Sequence, residues 1–124
     1  MTTRHLTSDA LPVTRSYRCR LLPTPRQARV LAAWLAITRE LNNAALDERK
    51  QAWSKQNVSI FHRDQEKQLA AVREARGDCA AIPLVILRSV LHTLDKSFKA
   101  FFRRCAAGKK PGYPRFKGRN RWRT

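Results

Sequence analysis

Apolar side chains recur at alternating steps of three and four along one stretch of the chain: Leu84, Leu87, Leu91, Leu94, Phe98, Phe101 and Cys105. That spacing places them on a single helical stripe, which has to be buried. The stripe spans only about three heptads, so packing within the chain is expected rather than a coiled-coil dimer. The predicted helix starts near Pro83 and stops at Gly108, with Arg103, Arg104, Lys109 and Lys110 near its negative end. A second stripe, Leu31, Trp34, Leu35, Thr38, Leu41 and Ala45, predicts a long helix that continues towards Trp53 until Asn57 interrupts it. Its start is written in Thr24-Pro25-Arg26-Gln27: Thr24 can accept from the third helical N–H, Gln27 can reach back, and Pro25 sits where no donor is needed. Between the two, Ser59 is placed to cap a helix with Phe61, Leu69 and Val72 facing inward and Gly77 at its end.

Upstream the period changes. Tyr17-Arg18-Cys19-Arg20-Leu21-Leu22 alternates bulky and basic positions up to Pro23, which predicts a short strand over residues 16–23 that needs partner strands. Residues 1–15 show no periodicity and are expected to form a disordered tail. The chain therefore divides into that tail, the strand, a helical domain over 24–107 and a final segment over 108–124. The fold class expected is mainly α, a three-helix bundle flanked by β-strand pieces.

Charge then narrows the function. The 124 residues contain 26 Lys+Arg against 9 Asp+Glu, a net charge of +17, far more than solubility requires. A polyanionic partner is implied, nucleic acid first and an anionic membrane surface second. No apolar run approaches the roughly 20 residues of a membrane span, and Met1-Thr2-Thr3-Arg4-His5 lacks the apolar core of a signal peptide, so a cytoplasmic, nucleoid-associated protein is expected. Cys19, Cys79 and Cys105 are odd in number and far apart, which argues for reduced, mostly buried thiols over a disulfide framework or a zinc knuckle.

The basic residues are unevenly distributed. No Asp or Glu follows Asp95, while nine Lys or Arg residues lie between Arg103 and Arg123. Tyr113, Phe116 and Trp122 are interleaved with Lys109, Lys110, Arg115, Lys117, Arg119, Arg121 and Arg123, a composition suited to phosphate contacts beside aromatic contacts to sugars or bases. A solvated basic tail is the alternative. Candidate nucleic-acid-binding residues are Arg18 and Arg20 in the strand, Arg103 and Arg104 at the end of the last helix, and Lys109, Lys110, Tyr113, Arg115, Phe116, Lys117, Arg119 and Arg121 in the final segment.

Catalytic chemistry finds little support. Glu40, Asp47, Glu48, Asp64, Glu66, Glu74 and Asp95 are spread thinly and mostly have a basic neighbour three or four residues away, as Asp64 has Lys67, which suits surface ion pairs rather than a divalent-metal site. His5, His62 and His92 have no Cys or His at ligand spacing, and His92 is expected at a helix surface or boundary. There is no nucleophile elbow, no Gly-x-Gly and no glycine-rich phosphate loop. No catalytic residue, metal or cofactor is therefore assigned.

Three segments, in order, resemble the N-terminal part of the TnpB (OrfB) proteins of bacterial insertion sequences, relatives of the type V CRISPR effectors. Tyr17 to Gln27 is similar to the family's opening strand, Leu-Tyr-Pro-Thr turn and helix start, and Arg39-Glu40-Leu41-Asn42-Asn43-Ala44-Ala45-Leu46 to its Arg-Phe-Val-Tyr-Asn-x-Ala-Leu stretch. The third and most specific runs from Ile82-Pro83 through Asp95-Lys96-Ser97-Phe98-Lys99-Ala100-Phe101-Phe102-Arg103 to Gly108-Lys109-Lys110-Pro111-Gly112-Tyr113-Pro114-Arg115-Phe116-Lys117. Glu40 and Asn42 stand where the family has Phe and Tyr.

The resemblance implies a wedge domain interrupted by a helical recognition domain, also described as a helix-turn-helix. The strand pieces would then belong to an incomplete wedge barrel. It further implies contacts to DNA and to a guide-type RNA, with His62, Leu84, Val85 and Arg88 at positions that approach a target-adjacent motif. The family's RuvC-like nuclease half, with its three metal-binding acids and zinc ribbon, has no counterpart in this sequence. The expectation is thus a nucleic-acid-binding module, truncated before the nuclease domain and without enzymatic activity of its own. The alternatives are one part of a split RNA-guided DNA endonuclease whose nuclease half is a separate chain, or a nonspecific binder of polyanions or anionic membrane surfaces. No membrane partner is assigned, and oligomeric state is left open.

Overall fold

The computed structural model describes residues 12–122. Four helices follow one another: α1, Pro25–Gln56; α2, His62–Ala75; the single-turn α3, Gly77–Ala80; and α4, Leu84–Ala106. The start of α1 is the reciprocal cap that the sequence spells out. Gln27 N–H donates to Thr24 Oγ1 at 3.2 Å, and Thr24 N–H donates to Gln27 Oε1 at 2.9 Å. Asn57 ends the helix in the left-handed conformation at φ 53°, its N–H donating to Trp53 O at 3.0 Å. Asparagine tolerates that region better than any β-branched residue.

At the other end of the chain, α4 closes on Gly108 at φ 72°. Gly108 N–H donates to Cys105 O at 3.2 Å and Lys109 N–H to Arg104 O at 3.0 Å, the paired bonds of a Schellman ending. Ile82 and the one-turn α3 sit under the α2–α4 connection, where Ile82 is fully buried.

α4 is the central helix, packing against both α1 and α2. Its stripe supplies Leu87, Leu91, Leu94 and Phe98, which form one core cluster with Ala45 and Leu46 of α1 and Leu69 of α2. A polar node crosses this core. Arg49 of α1 donates from Nε to Gln65 Oε1 of α2 at 2.9 Å, pairs with Asp95 of α4 at 3.4 Å, and lies over the Phe98 ring at 4.8 Å. Gln65 in turn donates to Ala45 O at 2.8 Å. One arginine thus ties all three long helices.

Several expectations are corrected. The described residues form no strand, so the fold is all-helical and not a bundle flanked by β-strand pieces of an incomplete barrel. Residues 16–23 are exposed and carry no regular secondary structure; no other described segment pairs with them, and an isolated strand cannot form a ladder. α2 is capped at Phe61 and not at Ser59: Asp64 Oδ2 accepts from Phe61 N–H at 2.9 Å, which takes this carboxylate into a cap instead of an ion pair with Lys67. Phe61 is 64% exposed, because it precedes the helix and escapes its inward stripe. Leu31 and Leu35 are exposed too. α1 runs for roughly 48 Å, and its fully buried residues lie only between Thr38 and Arg49. Of the cysteines, Cys79 is buried whereas Cys19 and Cys105 are exposed. Residues 1–11 of the expected tail, with His5, lie outside the described residues, as does Arg123.

Candidate nucleic-acid interface

After Gly108 the chain turns back and runs as a strap along α1, antiparallel to it. Phe116 lies beneath Lys50 Nζ at 5.7 Å, Lys117 sits against Asn43, and Trp122 reaches Thr38. The strap is held by its backbone. Lys117 N–H donates to Asn43 Oδ1 at 2.8 Å, and Asn43 Nδ2 donates to Lys117 O at 3.0 Å, so one side-chain amide pairs with both polar groups of one residue. Arg39 Nη1 also donates to Lys117 O, at 3.4 Å. Trp122 Nε1 donates to the buried Thr38 Oγ1 at 2.9 Å, and Arg104 Nη2 donates to Gly112 O at 3.3 Å near the strap's start.

Aromatic packing completes the anchoring. Tyr113 meets Phe98 edge-on at 5.6 Å and Phe101 at 5.1 Å. This partial burial pushes the Tyr113 hydroxyl above its usual range, with the Arg49 charge opposing. The aromatic residues of the segment thus have structural contacts of their own. The cations between them, Arg115, Lys117, Arg119 and Arg121, are exposed, as are Arg103, Lys109 and Lys110. Arg119 and Arg121 ride on a turn closed by Arg121 N–H to Gly118 O at 3.0 Å.

Acids are engaged elsewhere. Glu40 and Asp78 are bridged by Arg76 at 2.8 and 2.7 Å, and the Arg76 hydrogen bond holds the Asp78 carboxyl below the usual range against partial burial. Asp95 is held by Lys99 at 3.1 Å and by Arg49. No acid lies on the strap, so its cations have no carboxylate on their own segment to neutralise them. A row of such exposed cations is chemically suited to contacts with phosphates.

The other candidate residues fall into separate places. Arg18 and Arg20 are exposed on the segment before α1. His62 and Arg88 meet at the α2–α4 contact instead: His62 Nε2 lies 3.2 Å from Glu66, Arg88 Nε lies 3.7 Å from the same carboxylate, and the His62 ring stands edge-on to the exposed His92 at 5.9 Å. Leu84 is half-buried against the core and Val85 is exposed nearby. Arg88 and Arg104 are about 24 Å apart along α4, so this group and the strap form two surfaces. Among the described residues, no three His, Cys, Asp or Glu side chains are grouped to hold a metal ion, and no helix is long and apolar enough to cross a membrane.

Asn43, Arg39 and Thr38, which position the strap, were not among the candidates drawn from the sequence. A signal was present: Asn42-Asn43 in mid-helix is unfavourable on propensity, and such residues persist where the side chain has another task.

Residues 13–57 match the family model of the helix-turn-helix domain of IS605-type OrfB proteins. No curated protein and no solved structure matches the chain. The matched stretch holds the segment before α1, the whole of α1 and its Asn57 ending, while the next helix, α2, begins beyond it at His62. The match agrees with the first two of the three family-like segments in the sequence. Residues 13–57 are thus similar to the N-terminal helix-turn-helix domain of IS605-type OrfB proteins.

Proposed function

We propose that this chain is a DNA-binding module of a transposon-associated OrfB-type protein, and that the C-terminal strap on α1 is its phosphate-binding face. The observation that carries this reading is the clamping of Lys117 by Asn43, which holds Arg115, Lys117, Arg119 and Arg121 on a fixed backbone with no acid on that segment. Helix-turn-helix domains dock on duplex DNA, and cations that neutralise phosphates position such a domain without selecting sequence. Lys109, Lys110, Arg103 and Arg104 extend the same basic end, and Arg18 and Arg20 add charge on the segment before α1. A guide-type RNA is the second nucleic acid the face would take, because phosphate contacts do not distinguish the two polymers. His62 and Arg88 form a smaller second contact. Cleavage, in this reading, belongs to a nuclease half outside this sequence, and the module works in the cytoplasm at the nucleoid.

The test is fluorescence anisotropy with a blunt duplex across a salt series. Replacing Arg115, Lys117, Arg119 and Arg121 by Ala is expected to weaken binding and to flatten the slope of log K against log salt by up to about 0.9 per lost phosphate contact. Unchanged affinity and slope would show that the strap does not touch phosphate.

A further inference from the structure

Beside the strap lies an open groove of roughly 400 Å³ whose exposed walls are aromatic. Trp53 from the end of α1, Phe61 before α2, Phe102 from α4 and Tyr113 from the strap are 60, 64, 59 and 40% exposed. Four partly bare rings around one depression leave far more apolar surface in water than a chain of this charge needs. At the floor, Asp95 is already neutralised by Arg49 and Lys99, and the Lys99 side chain is 72% exposed. Arg49 is the second cation of the lining, and Lys50 lies outside it, over the Phe116 ring of the strap. The depression therefore combines ring faces with positive charge.

We propose that this groove binds unpaired bases of a single-stranded nucleic-acid segment adjoining the duplex held on the strap. The proposal rests on the phosphate-binding reading of the strap and adds a second kind of contact. An anionic ligand satisfies the cations, and a flat apolar ligand satisfies the rings, and an unstacked nucleotide supplies both in one unit. Paired bases cannot enter, because their faces are covered by their neighbours. Tyr113 belongs to both surfaces, so the strap carries a bound strand from its row of cations directly to the groove.

The experiment compares the full 124-residue chain on a blunt hairpin and on the same hairpin with a short unpaired extension, made once in DNA and once in RNA. The extended hairpin is expected to bind more tightly than one whose added nucleotides are paired, at equal phosphate number. Trp53→Ala and Phe102→Ala should each remove that advantage, by about tenfold per ring given ordinary base-stacking strengths, while blunt-hairpin affinity and the salt slope stay at the parent's values. Trp53→Phe, which keeps a ring, should retain most of the advantage. Both sites are exposed, and circular dichroism confirms that the helices persist. An advantage in only the DNA or only the RNA arm identifies the strand the groove takes and supports the proposal. If the parent binds the blunt hairpin but gains nothing from unpaired nucleotides, or if the ring variants weaken both hairpins equally, the groove proposal fails and the strap reading stands. If neither hairpin binds, both fail.

Discussion

Arg49 is a charged residue in the middle of an apolar core, and its surroundings explain why it is tolerated. Gln65, Asp95 and the face of Phe98 occupy its donors and its plane, so the charge is removed from water but not left alone. Truncating it strands Asp95 with Lys99 only and leaves Gln65 without a partner for its carbonyl. Arg49→Ala is expected to cost about 3 kcal/mol, the lower end for breaking a buried pair because Lys99 remains, and urea unfolding followed by circular dichroism measures it. Asp95 gives the same node a pH dependence. Burial opposes its ionisation, but the Lys99 hydrogen bond and charge, with Arg49 behind them, outweigh it and hold the carboxyl below its ordinary range. A depressed folded-state pKa contributes stability above the ordinary carboxylate pKa and loses it as pH falls through the folded value. The parent should therefore lose stability below about pH 4. Asp95→Asn should melt lower at neutral pH and change less over the acid range. A parallel acid loss in both proteins would assign the effect to other carboxylates, Asp78 among them.

At the level of elements, α4 organises the fold because its stripe faces two helices at once. Leu87, Leu91 and Leu94 are all 3% exposed or less and have no polar alternative to the core. Leu91→Ala should cost roughly 2–5 kcal/mol, and Leu91→Asp should unfold the helical bundle, since an unpaired carboxylate there has no partner. Arg88→Asp, on the exposed side of the same helix and paired only at 3.7 Å with Glu66, should be much milder. Thermal melts of the three variants rank them, and a Leu91→Asp melting temperature equal to the parent's is incompatible with this packing.

At the scale of the whole molecule, the strap closes the chain on itself. Without the Asn43 clamp, Lys117 would keep only the long bond from Arg39, and the cations on either side would lose their common backbone. Asn43→Ala is expected to accelerate tryptic cleavage after Lys117 and Arg119 several-fold while leaving the helical circular dichroism unchanged, because the core does not use the strap for its own packing beyond Tyr113 and Trp122. Cleavage at the parent's rate would mean that Trp122 and the aromatic contacts suffice to hold it.

The order of the three long helices, the caps at Thr24 and Gly108, the seam of α4 and the acid-free basic terminus were legible in the residues, because each is set by neighbours within one or two helical turns; the Phe61 start of α2 and the one-turn α3 were not. The same locality misled where a partner was required. The Tyr17 to Leu22 alternation is a valid strand pattern, but a strand exists only with another strand beside it, and none lies beside it among the described residues. Likewise no local rule distinguishes a solvated basic tail from one clamped along α1. That depended on Asn43 and Lys117, 74 residues apart in sequence, and on Trp122 finding Thr38. Long-range hydrogen bonds of this kind leave no period in the sequence, so only the tertiary structure decided that the basic segment is an ordered surface and that an open aromatic groove lies beside it.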